Sequence, residues 1–361
     1  MTILNGTRHG VPALAALVTF LLFFPGGLAA APVGGSTATG TSNKMNPALS
    51  LNGLFLAGWS DPAGSADGIK AQEFELVASS IVDPYFKAFA NVAFDPDPAG
   101  GEAGVAVEEG YVRVLGMPEG FGLRGGRFYL PMGRHNQLHS HQFPLINAPR
   151  AVQRTLGDES VGDVGVELEY APLLPWYVNV RLTGTDGANG LFDGESRDMA
   201  AGARLENLWD VGESATFEVA GSVLNGPIPD GDRRTLYGAD ARLKWHDPRK
   251  TYGKVVTWTN ELLVDHVPGR KDVSGAYSIL QVRFARLWWA GAGYSWDSLV
   301  PDGLARRTSE NEARLQLAWV PSEFSAVRGE IGWTDPAEGD RELTAQLQLN
   351  FTIGAHPAHK Y

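Results

Sequence analysis

From Leu343 to Ile353 the chain alternates without a break. Leu343, Ala345, Leu347, Leu349, Phe351 and Ile353 fall on one face, and Thr344, Gln346, Gln348, Asn350 and Thr352 on the other. Successive side chains of a strand point to opposite faces, so this segment is a strand lying between an apolar medium and water. Gln348, on the polar face, is expected to stand in water and to tolerate arginine.

The same period-two reading predicts about sixteen strands. In the first half they run from Pro47 to Trp59, Ile69 to Ser79, Tyr85 to Phe94, Gly104 to Leu115, Gly120 to Leu130, Gly162 to Tyr170, Trp176 to Gly184 and Met199 to Asn207. The second half continues with Ser214 to Asn225, Thr235 to Trp245, Lys254 to Asp265, Val273 to Arg283, Trp288 to Ser295, Asn311 to Trp319, Ser325 to Thr334 and Glu342 to Ile353. Lys254 to Asp265 and Val273 to Arg283 lose phase midway, which predicts bulges there.

Connections alternate in length. Those after even-numbered strands are short, as at Met117 to Glu119 and Val320 to Phe324, whereas those after odd-numbered strands are long and rich in Asp, Gly and Pro, as at Asp95 to Ala103 and Thr185 to Asp198. Short turns at one end, long loops at the other and an apolar-out, polar-in strand pattern predict an all-β fold: a transmembrane antiparallel β-barrel of about sixteen strands with both termini in the periplasm. The predicted inward charges are of both signs: Glu73, Glu75, Lys87, Arg113, Arg124, Glu167, Glu169, Arg181, Arg204, Glu218, Asp240, Arg242, Glu312, Arg314, Arg328 and Glu330. A barrel of sixteen to eighteen strands leaves an aqueous channel rather than a filled core.

The N-terminus adds a compartment. Arg8 in a polar start, the apolar run Val11 to Phe24, and small residues at Gly27 and Ala29 have the parts of a secretory signal peptide. The expected division is a signal peptide over 1–29, a periplasmic lead over 30–45, the barrel over 46–354 and a periplasmic tail over 355–361. The localisation implied is the bacterial outer membrane, with lipid around the barrel and the barrel-assembly machinery engaging the last strand. Composition agrees: 44 glycines in 361 residues exceed the roughly 7% of ordinary proteins, and 10 Trp, 10 Tyr and 16 Phe can supply interfacial girdles. With no cysteine, disulfides and thiolate metal sites are excluded. A net charge of -11 disfavours nucleic acid as a partner.

One connection exceeds the rest. Pro131 to Val161 contains PMGRHNQLHSHQFPLINAPRAVQRTLGDES, and structureless loops of this length are usually functional. The surrounding run, EEGYVRVLGMPEGFGLRGGRFYLPMGRHNQLHSHQFP, resembles the bacterial porins related to the phosphate-selective O and P porins: an acidic strand, a tight turn, and a Gly-Arg-Phe strand ending in Pro-x-Gly. The likeness extends loosely from Asn46 to the C-terminus. It is closest to a group often labelled TonB-dependent or zinc-regulated outer-membrane receptors, which carry the same Gly-Arg-Phe segment, a His-rich stretch and an IGAHPAHKY-like tail. The resemblance implies sixteen strands, a loop after the fifth strand folded inward to narrow a pore, passive diffusion of small hydrophilic solutes or ions, and a homotrimer. The receptor label fits poorly, because a TonB-dependent transporter needs a plug and about twenty-two strands, and the first predicted strand begins at Pro47. The lysine cluster of a phosphate-selective pore is not evident either. Alternatives are a substrate-specific channel or a metal-uptake receptor, and, from another class, an outer-membrane enzyme. GDES at Gly157 and GAYS at Gly275 are not nucleophile elbows, so no enzyme is expected.

The expected constriction comprises Arg134, His139, His141, Arg150 and Arg154 from the loop with Glu167, Glu169 and Arg181 from the wall. The wall offers little apolar surface in this reading. The apolar run Phe143 to Ile146 should therefore cover itself, while the loop arginines face wall acids such as Glu167 and Glu169. His135, His139 and His141 are candidate metal ligands, since His-x-His on an extended segment puts both rings on one side. The reading adopted is that they hydrogen-bond wall acids, with no metal and no cofactor.

Overall fold

The structure, a computed structural model, describes residues 47–62, 67–96, 104–193, 198–229, 231–249, 253–299 and 308–354. The expected signal peptide, the lead and the tail with His356 and His359 lie outside the described residues. The strands are β1 (Ala48–Asp61), β2 (Gly68–Ile81), β3 (Phe86–Asp95), β4 (Gly104–Val114), β5 (Phe121–Tyr129), β6 (Gly162–Tyr170), β7 (Tyr177–Thr185) and β8 (Ala200–Val211). They continue as β9 (Ala215–Pro227), β10 (Arg233–His246), β11 (Val255–His266), β12 (Val273–Ala285), β13 (Trp288–Leu299), β14 (Thr308–Ser322), β15 (Ser325–Asp335) and β16 (Glu342–Gly354).

Each strand pairs antiparallel with its neighbours in the chain, and β1 pairs with β16 from Ser50 opposite Gly354 to Asp61 opposite Leu343, closing the barrel. Closure removes the free edges that an open sheet would present to lipid. The outer wall is apolar: Leu205, Leu262, Leu280, Leu315, Leu317, Ile331 and Leu347 are exposed on it. Trp176, Trp209, Trp245, Trp288 and Trp319 stand outward at strand ends nearest the termini, and Trp59 and Trp333 at the opposite ends. These positions suit the two aromatic girdles of a membrane barrel.

β16 has the predicted facing, with Leu347 55% exposed outward and Gln348 0% exposed inward. Its polar face is not bathed in water, however. Gln348 accepts from Arg328 and donates Nε2–H to Oε1 of Gln72 at 2.7 Å, so the expected tolerance of arginine there is corrected: the site is a filled hydrogen-bond network.

The expected bulges in β11 and the middle of β12 are also corrected. β11 pairs with both neighbours without a register shift, and β12 shifts only at its end, between Arg283 and Ala285. Alternation fades there because Leu263, Tyr277 and Ile279 point inward, where they are buried against the long connection. A bulge that does matter lies between β3 and β4. Asn91 faces Glu109 and Val92 faces Val107, leaving Glu108 as the extra residue. Two consecutive glutamates thereby reach the lumen.

Candidate pore constriction

The β5–β6 connection folds into the barrel. It forms 3-10 turns at His135–Gln137 and Ser140–Gln142, then the helix α1 (Arg150–Leu156). The turn into the lumen is made at Gly133, whose φ of 59° favours glycine and whose missing Cβ would lie 1.8 Å from Oε1 of Glu261.

The inner wall supplies an apolar patch, contrary to the sequence expectation. Leu224, Leu236, Leu263, Tyr277 and Ile279 meet Leu130, Met132, Phe143, Leu145, Val152 and Leu156 in one buried cluster. Leu191 and Phe192, from the β7–β8 connection, join it. Wall glycines bring the backbones close: a Cβ at Gly275 would stand 2.8 Å from Cβ of Ala151, and one at Gly293 would stand 2.5 Å from Cδ1 of Leu145. Burial at about 25 cal/mol per Å² of apolar surface is the main force holding the loop inward.

Polar contacts tie the loop around the circumference. Gly133 N–H donates to Oγ of Ser222 at 2.9 Å, and the N–H groups of Arg134 and His135 donate to Oε2 of Glu261 at 3.1 and 3.0 Å. On the opposite wall, His141 Nδ1 lies 2.8 Å from Oε1 of Glu75 and His139 Nδ1 lies 2.9 Å from Oε2 of Glu108. The chain then passes β14 to β16, where Arg328 donates to the Phe143 carbonyl at 2.7 Å and Ile146 N–H donates to Glu330 at 3.1 Å. The loop therefore spans the lumen.

The predicted site residues separate into three groups. Arg134, His141, Glu169 and Arg181 line a cavity of about 1400 Å³ that opens toward the end of the barrel carrying the termini. Arg150 and Arg154 instead bind Glu310, Arg154 at 3.0 Å, on β14. His139 and Glu167 are 8% and 0% exposed, and neither lines that cavity. The expected partners of the arginines are corrected too. Arg134 pairs with Glu218 at 2.6 Å, whereas Glu167 is held by Arg124 at 2.8 Å and Glu169 by Arg113 at 2.9 Å. Wall neighbours claim Glu167 and Glu169 before the loop can reach them.

The rings of His139 and His141 bond wall acids as expected and that of His135 does not, and the segment is not extended: Ser140–Gln142 is a 3-10 turn that stacks the rings of His139 and His141 with centroids 5.8 Å apart. Burial opposes charge on His139, but hydrogen bonds to Glu108 and Glu109 and the nearby Glu75 carboxylate prevail and raise its pKa to about 10. His135 is the opposite case. Its ring packs on Phe143 at 4.4 Å between centroids, its Nε2 has no hydrogen-bond partner among the described residues, and burial, with the Arg314 charge, pushes its pKa down to about 3.

Sequence reading missed Glu108, Glu109, Asn91, Glu261 and Glu310. The adjacent pair Glu108–Glu109 did carry a signal, because strict alternation would send one of two neighbouring carboxylates into lipid. It also missed a basic patch on the cavity wall, where Lys244 of β10 stands near Arg242 of the same strand and Arg283 of β12, and Arg286 of the following turn lines the same cavity.

No family model matches the chain. An uncharacterized protein of Aquifex aeolicus (strain VF5) is 25% identical over 339 residues, covering 81% of this chain and 70% of that protein. Among solved structures, Salmonella typhi OmpF in complex with daunomycin superposes with a TM-score of 0.60 at 12% identity, over 85% of this chain and 97% of that one. An anion-selective porin from Comamonas acidovorans superposes at 0.59 and 10% identity, over 85% of this chain and 100% of that one. The likeness is one of fold.

Proposed function

We propose that the protein is an outer-membrane porin, a water-filled channel for passive diffusion of small hydrophilic solutes or ions. One observation carries this reading: a closed sixteen-strand barrel with an apolar outer wall holds a lumen lined by charges of both signs and narrowed by an inward-folded connection. The end carrying the termini is then periplasmic, and the cavity of about 1400 Å³ is the periplasmic vestibule below the constriction.

Arg134, His141, Glu169 and Arg181 are the proposed solute contacts on the vestibule side, with Arg150 and Arg154 facing the external side. Glu167 and His139 act by holding their neighbours. Homotrimeric assembly and export through a signal peptide belong to the same reading. A channel is preferred to an enzyme because His135, His139 and His141 are engaged with rings and carboxylates beneath the loop. Single-channel recording in planar bilayers tests the reading, with ohmic conductance steps expected. Absence of steps from correctly folded protein would refute it.

A further inference from the structure

Beneath the loop, four side chains converge on one point. Nδ2 of Asn91 lies 2.8 Å from Oε2 of Glu75, 2.8 Å from Oε2 of Glu108 and 2.9 Å from Nδ1 of His139. Nδ1 of His139 lies 2.9 Å from Oε2 of Glu108 and 3.6 Å from Oε2 of Glu75. These five separations run from 2.8 to 3.6 Å, and the Glu75, Glu108 and His139 donor atoms all lie within 4.8 Å of one another. Donor atoms around a tetrahedral metal with bonds of about 2.0–2.1 Å stand about 3.3 Å apart.

The protein's own hydrogens do not satisfy this cluster. Nδ1 of His139 faces two carboxylates, with the Tyr129 hydroxyl at 3.2 Å, and the proton it carries to meet those carboxylates sets it donor to donor against the Asn91 amide. Turning the amide cures that contact but points its oxygen at both carboxylates. Asn91 is fully buried, and its Oδ1 has no partner among the described residues while its nitrogen is shared among three neighbours. Unsatisfied buried polar atoms are uncommon and call for a physical cause. A cation at the centre supplies one, because with the amide reversed all four groups present a lone pair to it.

The outer contacts are those of a ligating histidine. Nε2 of His139 lies 3.2 Å from Oε2 of Glu109, so its proton is donated to a carboxylate and the bare lone pair falls on Nδ1. Glu109 is steadied by Arg124 at 3.8 Å, and the second oxygen of Glu75 is bonded to His141 at 2.8 Å. We propose that Glu75, Glu108, His139 and Asn91 bind one divalent first-row transition-metal ion, which clasps the constriction loop to β2, β3 and β4. One imidazole nitrogen among oxygen donors favours such an ion over Ca²⁺ or Mg²⁺, which take oxygen alone. Binding releases the Nδ1 proton and changes no oxidation state.

The test is equilibrium dialysis of the folded full-length barrel against Co²⁺, with heat-modifiable migration confirming assembly of each variant. One Co²⁺ per barrel is expected, with the intense visible absorption of a tetrahedral ion. Asn91→Ala and Glu108→Gln should each weaken binding by about 10- to 100-fold, Asn91→Asp should tighten it, and His266→Ala, at an exposed histidine remote from the cluster, should leave it unchanged. Failure of wild type to bind one equivalent overturns the proposal, as does binding that is insensitive to both Asn91→Ala and Asn91→Asp.

Discussion

Nε of Arg328 donates to Oε1 of Gln348 at 2.8 Å, one residue along β16 from a leucine that is 55% exposed on the outer wall. Neighbouring positions on the closing strand thus meet lipid and a buried polar network. Leu347→Arg should cost about 2–4 kcal/mol near the bilayer midplane. Gln348→Arg should also destabilise, by setting a second guanidinium against Arg328, while Gln348→Glu should be accepted as its ion-pair partner. Urea titration of the heat-modifiable band checks this, and equal behaviour of the arginine and glutamate variants at Gln348 would contradict the inward network.

Replacing Asn136 to Thr155 by a short Gly-Ser link should raise single-channel conductance without preventing assembly. The barrel's strand pairing is complete without the loop, whereas among the described residues the loop is the segment that spans the lumen. Unchanged conductance in an assembled deletion mutant would place the limiting constriction elsewhere.

Ion preference should be weak and, despite the net charge of -11, tilted toward anions. Bases outnumber acids among the residues lining the vestibule, Arg242, Lys244, Arg283 and Arg286 among them. Charge outside the lumen is screened over about 8 Å at physiological salt and contributes little. Reversal potentials in a salt gradient should show a small anion preference, and Arg242→Glu with Lys244→Glu should move it toward cations. A strongly cation-selective wild type would exclude this patch from the conducting path.

His135 should make loop docking sensitive to acid. Its pKa falls from 6.5 to about 3 when buried, so above about pH 6.5 it is neutral whether docked or released, and docking is at full strength. As pH falls from about 6.5 toward 3, the released loop takes up a proton that the docked loop cannot, weakening docking by up to about tenfold per pH unit. Proteolysis of the loop in the folded barrel should therefore accelerate on acidification, and His135→Phe should remove that part of the response. An identical acid response in the variant would assign the effect to carboxylates alone.

The sequence by itself determined the strands, their facing and the closing topology. Leu343 to Ile353 shows why: lipid outside and polar groups inside write a period-two code that each strand carries independently, and short and long connections alternate with it. It also identified Pro131 to Val161 as the loop that enters the barrel and the rings of His139 and His141, though not that of His135, as partners of wall acids. Only the tertiary structure decided which acids. Arg134 meets Glu218, and Arg154 meets Glu310, because the loop's path is set by an apolar patch assembled from β9 to β12, strands far from it in the chain. Leu263 and Ile279 looked like lapses in alternation when they were the docking surface. The site beneath His139 was hidden for the same reason, since Glu75, Asn91 and Glu108 become neighbours only through barrel register and a one-residue bulge in β4. Alternation is a local property of one strand, whereas a lumen contact depends on how several strands are staggered around a closed sheet.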